Sequence, residues 1–393
     1  MTPDLFAHAA PYVGYVYPNE TVIPWSLLIV VYPYITGLVA GAFIVSSLYH
    51  VFGMQQFRPV ARFALLTALC FLLFAPLSLL IHLGRPERAL HAVLTPHWTS
   101  AMAAFGYIAL FYLVVLVLEI WFAFRADIVA MAKTARGARR PLYRALTLGS
   151  DDVSPNALAW DHSWARMLAI IGIPSAAGLH GYVGFIFGSL KSREWWSSDL
   201  MPIIFLLSAI VSGVALLAIL YVVVWKARRV ELEQDCLSGL AKVMWAFLTV
   251  TLVVEALEYV EMFYRAREGI GTIEHLIEGP LRSGLLIQGL CSIVAFAVLS
   301  ALVTRKTPGR QYVGWLVFSA SLLMIAVLAM RWNVVIGGQE LSKTMKGLLT
   351  YRPELLGREG ILTSLFLLFG PLFALWLLAR LLPPWLPRRA TSV

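Results

Sequence analysis

Charged side chains are scarce in this sequence, at 13 % of 393 residues, where a soluble domain carries about 25 %. With 60 % apolar residues and a mean hydropathy of +0.77, the chain lacks the polar surface needed to face water on every side. Cysteine is nearly absent too. Cys70, Cys236 and Cys291 stand in or beside apolar runs without paired spacing, which excludes a disulfide framework and a metal–thiolate site. Residues 1–22 hold no basic segment followed by an apolar core, so no cleaved signal peptide is expected. No stretch is polar and long enough for a soluble domain. The longest connection expected between helices, about 124–157, is basic and turn-prone. The net charge of +9 is spread over short loops between apolar runs, so it reads as membrane orientation and not as a nucleic-acid surface.

What is abundant is apolar sequence in blocks of membrane-spanning length. A bilayer core of about 30 Å takes about 20 apolar residues per helix. Such blocks occur at 23–49, 63–84, 100–118, 167–190, 200–225, 243–254 (continuing past Glu255), 283–304, 311–330 and 360–379. The fold class expected is an all-α integral membrane protein of about nine transmembrane helices: two four-helix bundles plus an additional C-terminal helix. Residues 1–190 would form the first bundle, 191–336 the second, and 337–393 a loop, the ninth helix and a short tail. The 13 Trp and 15 Tyr suit a protein anchored at two membrane interfaces. Gly37 with Gly41, and Gly184 with Gly188, are small-residue pairs that let helix backbones approach closely in lipid. Eighteen Lys and Arg fall in one set of alternate loops and termini and eleven in the other, whose N-terminal tail has none. That bias places the N-terminus outside the cytoplasm and the C-terminus inside, in a cell inner membrane.

Ionisable groups in hydrocarbon are expensive and are kept where they pair, line water or work. His50, Glu119, Asp161 and Arg166 lie toward the cytoplasmic interface. The outer half carries His82, His180, Glu255, Glu258, Glu261 and Arg331, with Tyr32, Tyr34 and Tyr259 at similar depth. Glu255, Glu258 and Glu261 form one acidic edge of the sixth span, for which Arg331 and Arg265 are candidate partners. Tyr32 and Tyr34 point about 200° apart on the first helix, so only one can face a shared pocket. His180, Glu255 and Glu258 are the candidates for proton chemistry, and Tyr32, Tyr34, His82, Arg85, His180 and Tyr259 for ligand contact. Tyr, His and carboxylates near one membrane surface suit a quinone, whose two oxygens need hydrogen-bonding partners and whose two-electron chemistry moves two protons. A proton-coupled secondary transporter would place similar groups beside Gly-rich helices. A b-haem quinol oxidoreductase subunit would need more axial His than His82 and His180 supply.

Three stretches carry a resemblance. They are Ile81-His82-Leu83-Gly84-Arg85-Pro86-Glu87-Arg88, Leu179-His180-Gly181-Tyr182-Val183-Gly184-Phe185, and Trp195-Trp196 followed by Pro202-Ile203-Ile204-Phe205-Leu206-Leu207-Ser208-Ala209. Over roughly 25–225 the chain resembles the polysulfide reductase membrane subunit (NrfD-like) family. That resemblance implies a subunit with no haem or metal of its own, using menaquinone or ubiquinone as an exchangeable substrate. It also implies two partners: an iron–sulfur (ferredoxin-like) subunit on the extracytoplasmic face, and a catalytic subunit, often a molybdopterin enzyme. By carry-over Tyr32 and Tyr34 would contact the headgroup, where the family's polysulfide reductase uses Asn and His. Arg85 and Glu87 would lie near the docking face. Independently of the resemblance, the outer loops suit a docking surface, being mixed in charge and bearing Trp98, Trp195 and Trp196. The orientation is testable with a cysteine placed at Ser150, which an impermeant thiol reagent should reach only after the cells are permeabilised. Strong labelling in intact cells would invert the topology.

Overall fold

The fold is that of a computed structural model, which describes residues 23–385 apart from 96, 98, 138, 266–269, 305–308 and 343–347. Trp98 and the N-terminal tail therefore lie outside the described residues, as does the Arg265 side chain. Among the described residues nine helices are long and apolar enough to cross a membrane. In chain order, spans 1 to 9 are Leu27–His50, Gln55–His82, Ala101–Thr134, Pro155–Gly188, Met201–Ala227, Gln234–Tyr264, Arg282–Val303, Gln311–Glu340 and Ile361–Leu381. Their outward faces are apolar. Leu110, Phe111 and Val114 on span 3, and Phe366, Phe369 and Phe373 on span 9, are exposed to what would be lipid.

Several helices outrun their apolar blocks. Spans 3 and 4 are each 34 residues long, about 51 Å at 1.5 Å per residue, and so project well beyond the hydrocarbon. Span 4 begins at Pro155 because Ser154 caps it, its Oγ accepting from the Ala157 amide at 3.3 Å. Span 3 continues to Thr134 through residues of good helix propensity, and a short helix, Arg139–Leu146, follows. The connection expected at 124–157 is therefore largely helical. Hydropathy marks where a helix is apolar, not where its hydrogen bonds stop. At this end Arg62 on span 2 pairs with Asp127 on span 3. Arg125 Nε donates to both oxygens of Asp161 on span 4, at 2.7 and 2.9 Å, a geometry that fixes the relative rotation of two helices.

Span 1 packs on spans 2, 4 and 5, and spans 3 and 4 pack on each other. Span 5 packs on spans 4, 6 and 8, and span 7 lies against 6 and 8. These are the contacts of two four-helix groups joined through spans 1 and 5, with span 9 added against span 2. The apolar window of span 1 is 94 % buried, whereas that of span 3 is 17 % buried, so span 1 is a central helix and span 3 a peripheral one. Spans 1 and 5 touch backbone to backbone: a Cβ on Gly41 would sit 2.6 Å from the Gly213 Cα. Span 4 ends against the start of span 5 in the same manner, Gly184 facing the Met201 carbonyl and Gly188 that of Ser198. Span 9 is held at both ends. His82 Nδ1 meets Glu359 Oε2 at 2.9 Å and Arg358 donates to the Leu83 carbonyl, while the Tyr143 hydroxyl donates to the Leu381 carbonyl at 2.8 Å.

The Gly41–Gly213 crossing generates a direct test. Gly41→Leu should force spans 1 and 5 apart and cost about 1–3 kcal/mol or more, seen as lower folded yield by size-exclusion chromatography and a lower melting temperature. Gly289→Ala on span 7, where nothing lies within 4 Å of a Cβ, should leave both unchanged. Equal behaviour of the two variants would show that the crossing does not hold the halves together.

Candidate functional site

About two turns in from the end opposite the arginine-rich loops, spans 1, 4, 5, 6, 7 and 8 bring polar groups to one depth. At the centre is Arg331, on span 8 and 0 % exposed. Its Nη2 lies 3.0 Å from His180 Nε2 on span 4 and donates to Ser208 Oγ at 2.9 Å and the Phe205 carbonyl at 3.2 Å on span 5. Its Nη1 lies 3.0 Å from Met330 Sδ, and the guanidinium carbon sits 3.9 Å over the Phe205 ring. A guanidinium can only donate, so His180 Nε2 must accept and the imidazole proton resides on Nδ1. His180 Nδ1 is buried and has no hydrogen-bond partner. Gly37 on span 1 makes room for this ring, because a Cβ there would stand 3.3 Å from His180 Cε1.

Glu255 on span 6 lies within electrostatic reach of Arg331 without touching it. Its Oε2 accepts from Gln288 Nε2 on span 7 at 3.2 Å. Gln288 Oε1 accepts in turn from Asn333 Nδ2 on span 8 at 2.9 Å. One turn along span 6, Glu258 Oε2 accepts from Ser198 Oγ at 2.6 Å. Glu255, Glu258 and Tyr259 line a cavity of about 50 Å³ with Met201, Met262 and Met330. A second cavity of about 30 Å³ shares Glu258 and continues to Glu261 and Glu194, and a third of about 10 Å³ runs from Glu255 to Ser208 and Thr251. The carboxylates thus mark a discontinuous polar track from mid-membrane to the end of span 6. A cavity of this size accommodates water and not an aromatic headgroup.

The track is shaped by an irregular turn. Residues Asn333–Gly337 form a π-helical turn at the end of span 8, a widening that withdraws carbonyls from the regular ladder and recurs at functional sites. Trp195 Nε1 donates to the freed Asn333 carbonyl at 3.0 Å and Trp196 Nε1 to that of Val334 at 2.5 Å. Gln339 Nε2 donates to Val335 O at 2.8 Å, and its Oε1 accepts from the Trp25 amide at 2.9 Å. Trp195 and Trp196 are only 7 % and 2 % exposed. Their buried role in clamping this turn overturns the expectation that they lie on a docking surface.

Of the residues singled out in the sequence, His180 lies against Arg331, Glu255 is within its electrostatic reach, and Glu258 and Tyr259 line the cavity beside Glu255. Tyr34 is also within electrostatic reach of Arg331, and its hydroxyl donates to the Met324 carbonyl at 3.1 Å. Tyr32 faces elsewhere, its ring edge-on to Phe105 with centroids 5.6 Å apart. His82 joins Glu359 at the base of span 9, and Arg85 is exposed on the loop after span 2. Gln288, Asn333 and Ser208 were not singled out. Their signal in sequence is weak, because uncharged polar residues are common near span ends. Among the described residues no group of three His, Cys, Asp or Glu is placed to hold a metal ion.

The family model described as polysulphide reductase, NrfD matches residues 17–342. That stretch contains every residue of the Arg331 cluster and stops short of span 9. The chain is 31 % identical over 320 residues to one subunit, the C chain, of a selenate reductase from Mesobacillus selenatarsenatis, a match covering 79 % of this chain and 73 % of that protein. It is 25 % identical over 325 residues to the Hdr-like menaquinol oxidoreductase integral membrane subunit of Archaeoglobus fulgidus, covering 81 % and 71 % of the two chains.

A guanidinium held mostly by neutral acceptors in a low-dielectric interior is a poor source of stability, since replacing buried charge with apolar groups is often neutral or stabilising. Arg331→Met alone leaves Glu255 without its counter-charge and should cost about 3–5 kcal/mol, whereas Arg331→Met combined with Glu255→Met should leave melting in detergent unchanged or raise stability by about 1–4 kcal/mol. A marked fall in melting temperature of the paired variant would instead make Arg331 a structural pillar of the bundle.

Proposed function

The chain belongs to the polysulphide reductase, NrfD family, and from that premise we propose that it is the quinone-reacting membrane subunit of a respiratory oxidoreductase complex. The site is the cluster around Arg331, and the observation that carries the reading is the unpartnered His180 Nδ1. A buried N–H without an acceptor is costly, and a quinone carbonyl or quinol oxygen supplies the acceptor it lacks. Arg331 holds the ring in the tautomer that presents this donor, and its charge favours negative charge developing on the bound oxygen.

Oxidation of a quinol to a quinone releases two protons and two electrons. Glu255 is the nearest carboxylate on the track and accepts the two protons one after the other, each relayed by Glu258 toward the membrane surface before the next is taken. The reverse sequence serves quinone reduction. Admission of the ring requires the cavity beside Glu255 to widen, and its lining by Met201, Met262 and Met330 suits that because unbranched thioether chains change shape easily. The electrons pass to an iron–sulfur (ferredoxin-like) subunit, which this chain needs because its three scattered cysteines form no redox centre. That subunit exchanges them with a catalytic subunit. In the orientation set by the loop charges, the partner docks on the extracytoplasmic face, where Arg85, Glu87 and Arg88 are exposed. His180 Nε2 against Arg331 and His82 against Glu359 place the two histidines in separate clusters, an arrangement that does not favour paired haem ligation.

The test is quinol-dependent electron transfer by the assembled complex in membranes. His180→Ala and Glu255→Gln should each lower turnover by roughly 10²-fold or more, with the complex still assembled. Normal turnover in both variants, at normal assembly, would remove the reaction from this cluster.

A further inference from the structure

A cavity of about 500 Å³ opens at the arginine-rich end of the bundle, remote from the cavity of about 50 Å³ beside Glu255. Its walls come from parts of the chain far apart in sequence. Tyr49 and His50 end span 1, Arg58 and Arg62 begin span 2, Trp225 and Arg228 close span 5, and Trp385 follows span 9. Three of the lining side chains are guanidinium groups, and Glu233 is the one carboxylate among the lining residues.

The guanidiniums are arranged differently. Arg62 is buried, paired with Asp127 and packed 3.9 Å over the Phe124 ring. Arg58 is exposed at the first residue of the α-helix Arg58–His82. Arg228, also exposed, lies with its guanidinium carbon 3.6 Å over the Trp385 ring. Stacking occupies the face of a guanidinium and leaves its N–H edge in plane, the edge that binds phosphate oxygens two at a time. The remaining walls are apolar or aromatic, including Pro59, Val230 and Pro384. The volume lies within the range of about 300–1,000 Å³ typical of organic ligand sites, and exceeds what a lone phosphate fills.

The place of the cavity selects the ligand. It sits where four chain segments leave the apolar part of the bundle, with Trp225 and Trp385 at the level where indoles mark a membrane interface. Phe52, two residues beyond the lining His50 at the end of span 1, is 65 % exposed. A soluble anion makes no use of such apolar surface, whereas acyl chains do. We propose that this cavity seats the phosphate headgroup of an anionic phospholipid, held by Arg58 and Arg228 with Arg62 behind them. The bound lipid would bridge spans 1 and 2 to span 5 and to the segment after span 9, stapling the two helical groups at the end opposite the redox site.

The purified, delipidated protein can be titrated with phosphatidylglycerol or phosphatidylcholine and the adducts counted by native mass spectrometry. Two arginines at a headgroup favour the anionic lipid by about tenfold or more, and the wild type should show that preference. The paired variant Arg58→Gln and Arg228→Gln should lose it, and Glu233→Gln should strengthen it. Arg144→Gln, exposed on the helix Arg139–Leu146 at the same end, should leave it unchanged. Equal binding of both lipids by the wild type, or a preference that survives in the paired variant, would overturn the proposal. So would a loss of equal size in Arg144→Gln, which would reduce the effect to general surface charge. In a separate arm, inorganic phosphate should not compete; displacement of phosphatidylglycerol by millimolar phosphate would make this a soluble-anion site and reject the lipid.

Discussion

The backbones of spans 1 and 5 meet at Gly41 and Gly213, and much of the molecule's arrangement follows from that approach. Lipid offers helices little hydrophobic reason to associate, so close packing of small residues has to supply it. Once the two helices touch, Gly37 lies against Ala209 and His180, and Ser208, one residue away, faces Arg331. The contact that joins the two helical groups therefore also builds the polar cluster between them. Fold and site share one interface, and a residue too large in span 1 disturbs both.

Burying Arg331 imposes a second constraint. Its direct partners include an imidazole nitrogen, a hydroxyl, a carbonyl and a thioether sulfur, none of them anionic. Glu255 answers its charge only through space. Beyond Glu255, donors and acceptors alternate through Gln288 to Asn333 and then, through the Asn333 carbonyl, to Trp195. The chain of hydrogen bonds ties the carboxylate to the π-helical turn, so the geometry of the site is set partly by two indoles in a loop. Such a network is stiff where it is satisfied and sensitive where it is not.

The number of spans was legible because hydropathy reports it directly, and so was the depth of the polar residues along each helix. Helix length was not, since spans 3 and 4 extend through sequence that is polar yet still helical. Rotation about the helix axis was legible only in part. Depth alone places Tyr32, Tyr34 and His82 alongside His180, but Tyr32 turns toward Phe105 and His82 toward Glu359. Arg331 was visible as a charge inside an apolar run and was matched with carboxylates by sign. Its shortest contacts are instead to spans 4 and 5, a pairing that only the packing of distant helices decides. The π-helical turn left no local trace, because the donors that stabilise it, Trp195 and Trp196, lie 138 residues upstream. The same distance explains why those indoles read as part of a docking surface.

Span 9 carries a consequence for how the protein is made. Its partner is span 2, to which it is joined by His82, Glu359 and Arg358, with Gly370 lying against the Phe74 ring. The Tyr143 hydroxyl waits for the carbonyl of Leu381. Membrane insertion proceeds from the N-terminus, so one flank of span 2 stays open to lipid while the intervening six spans are synthesised. Biogenesis therefore closes the first helical group last, and a chain cut short before residue 361 keeps every residue of the Arg331 cluster yet carries an unsealed seam for quality control to recognise.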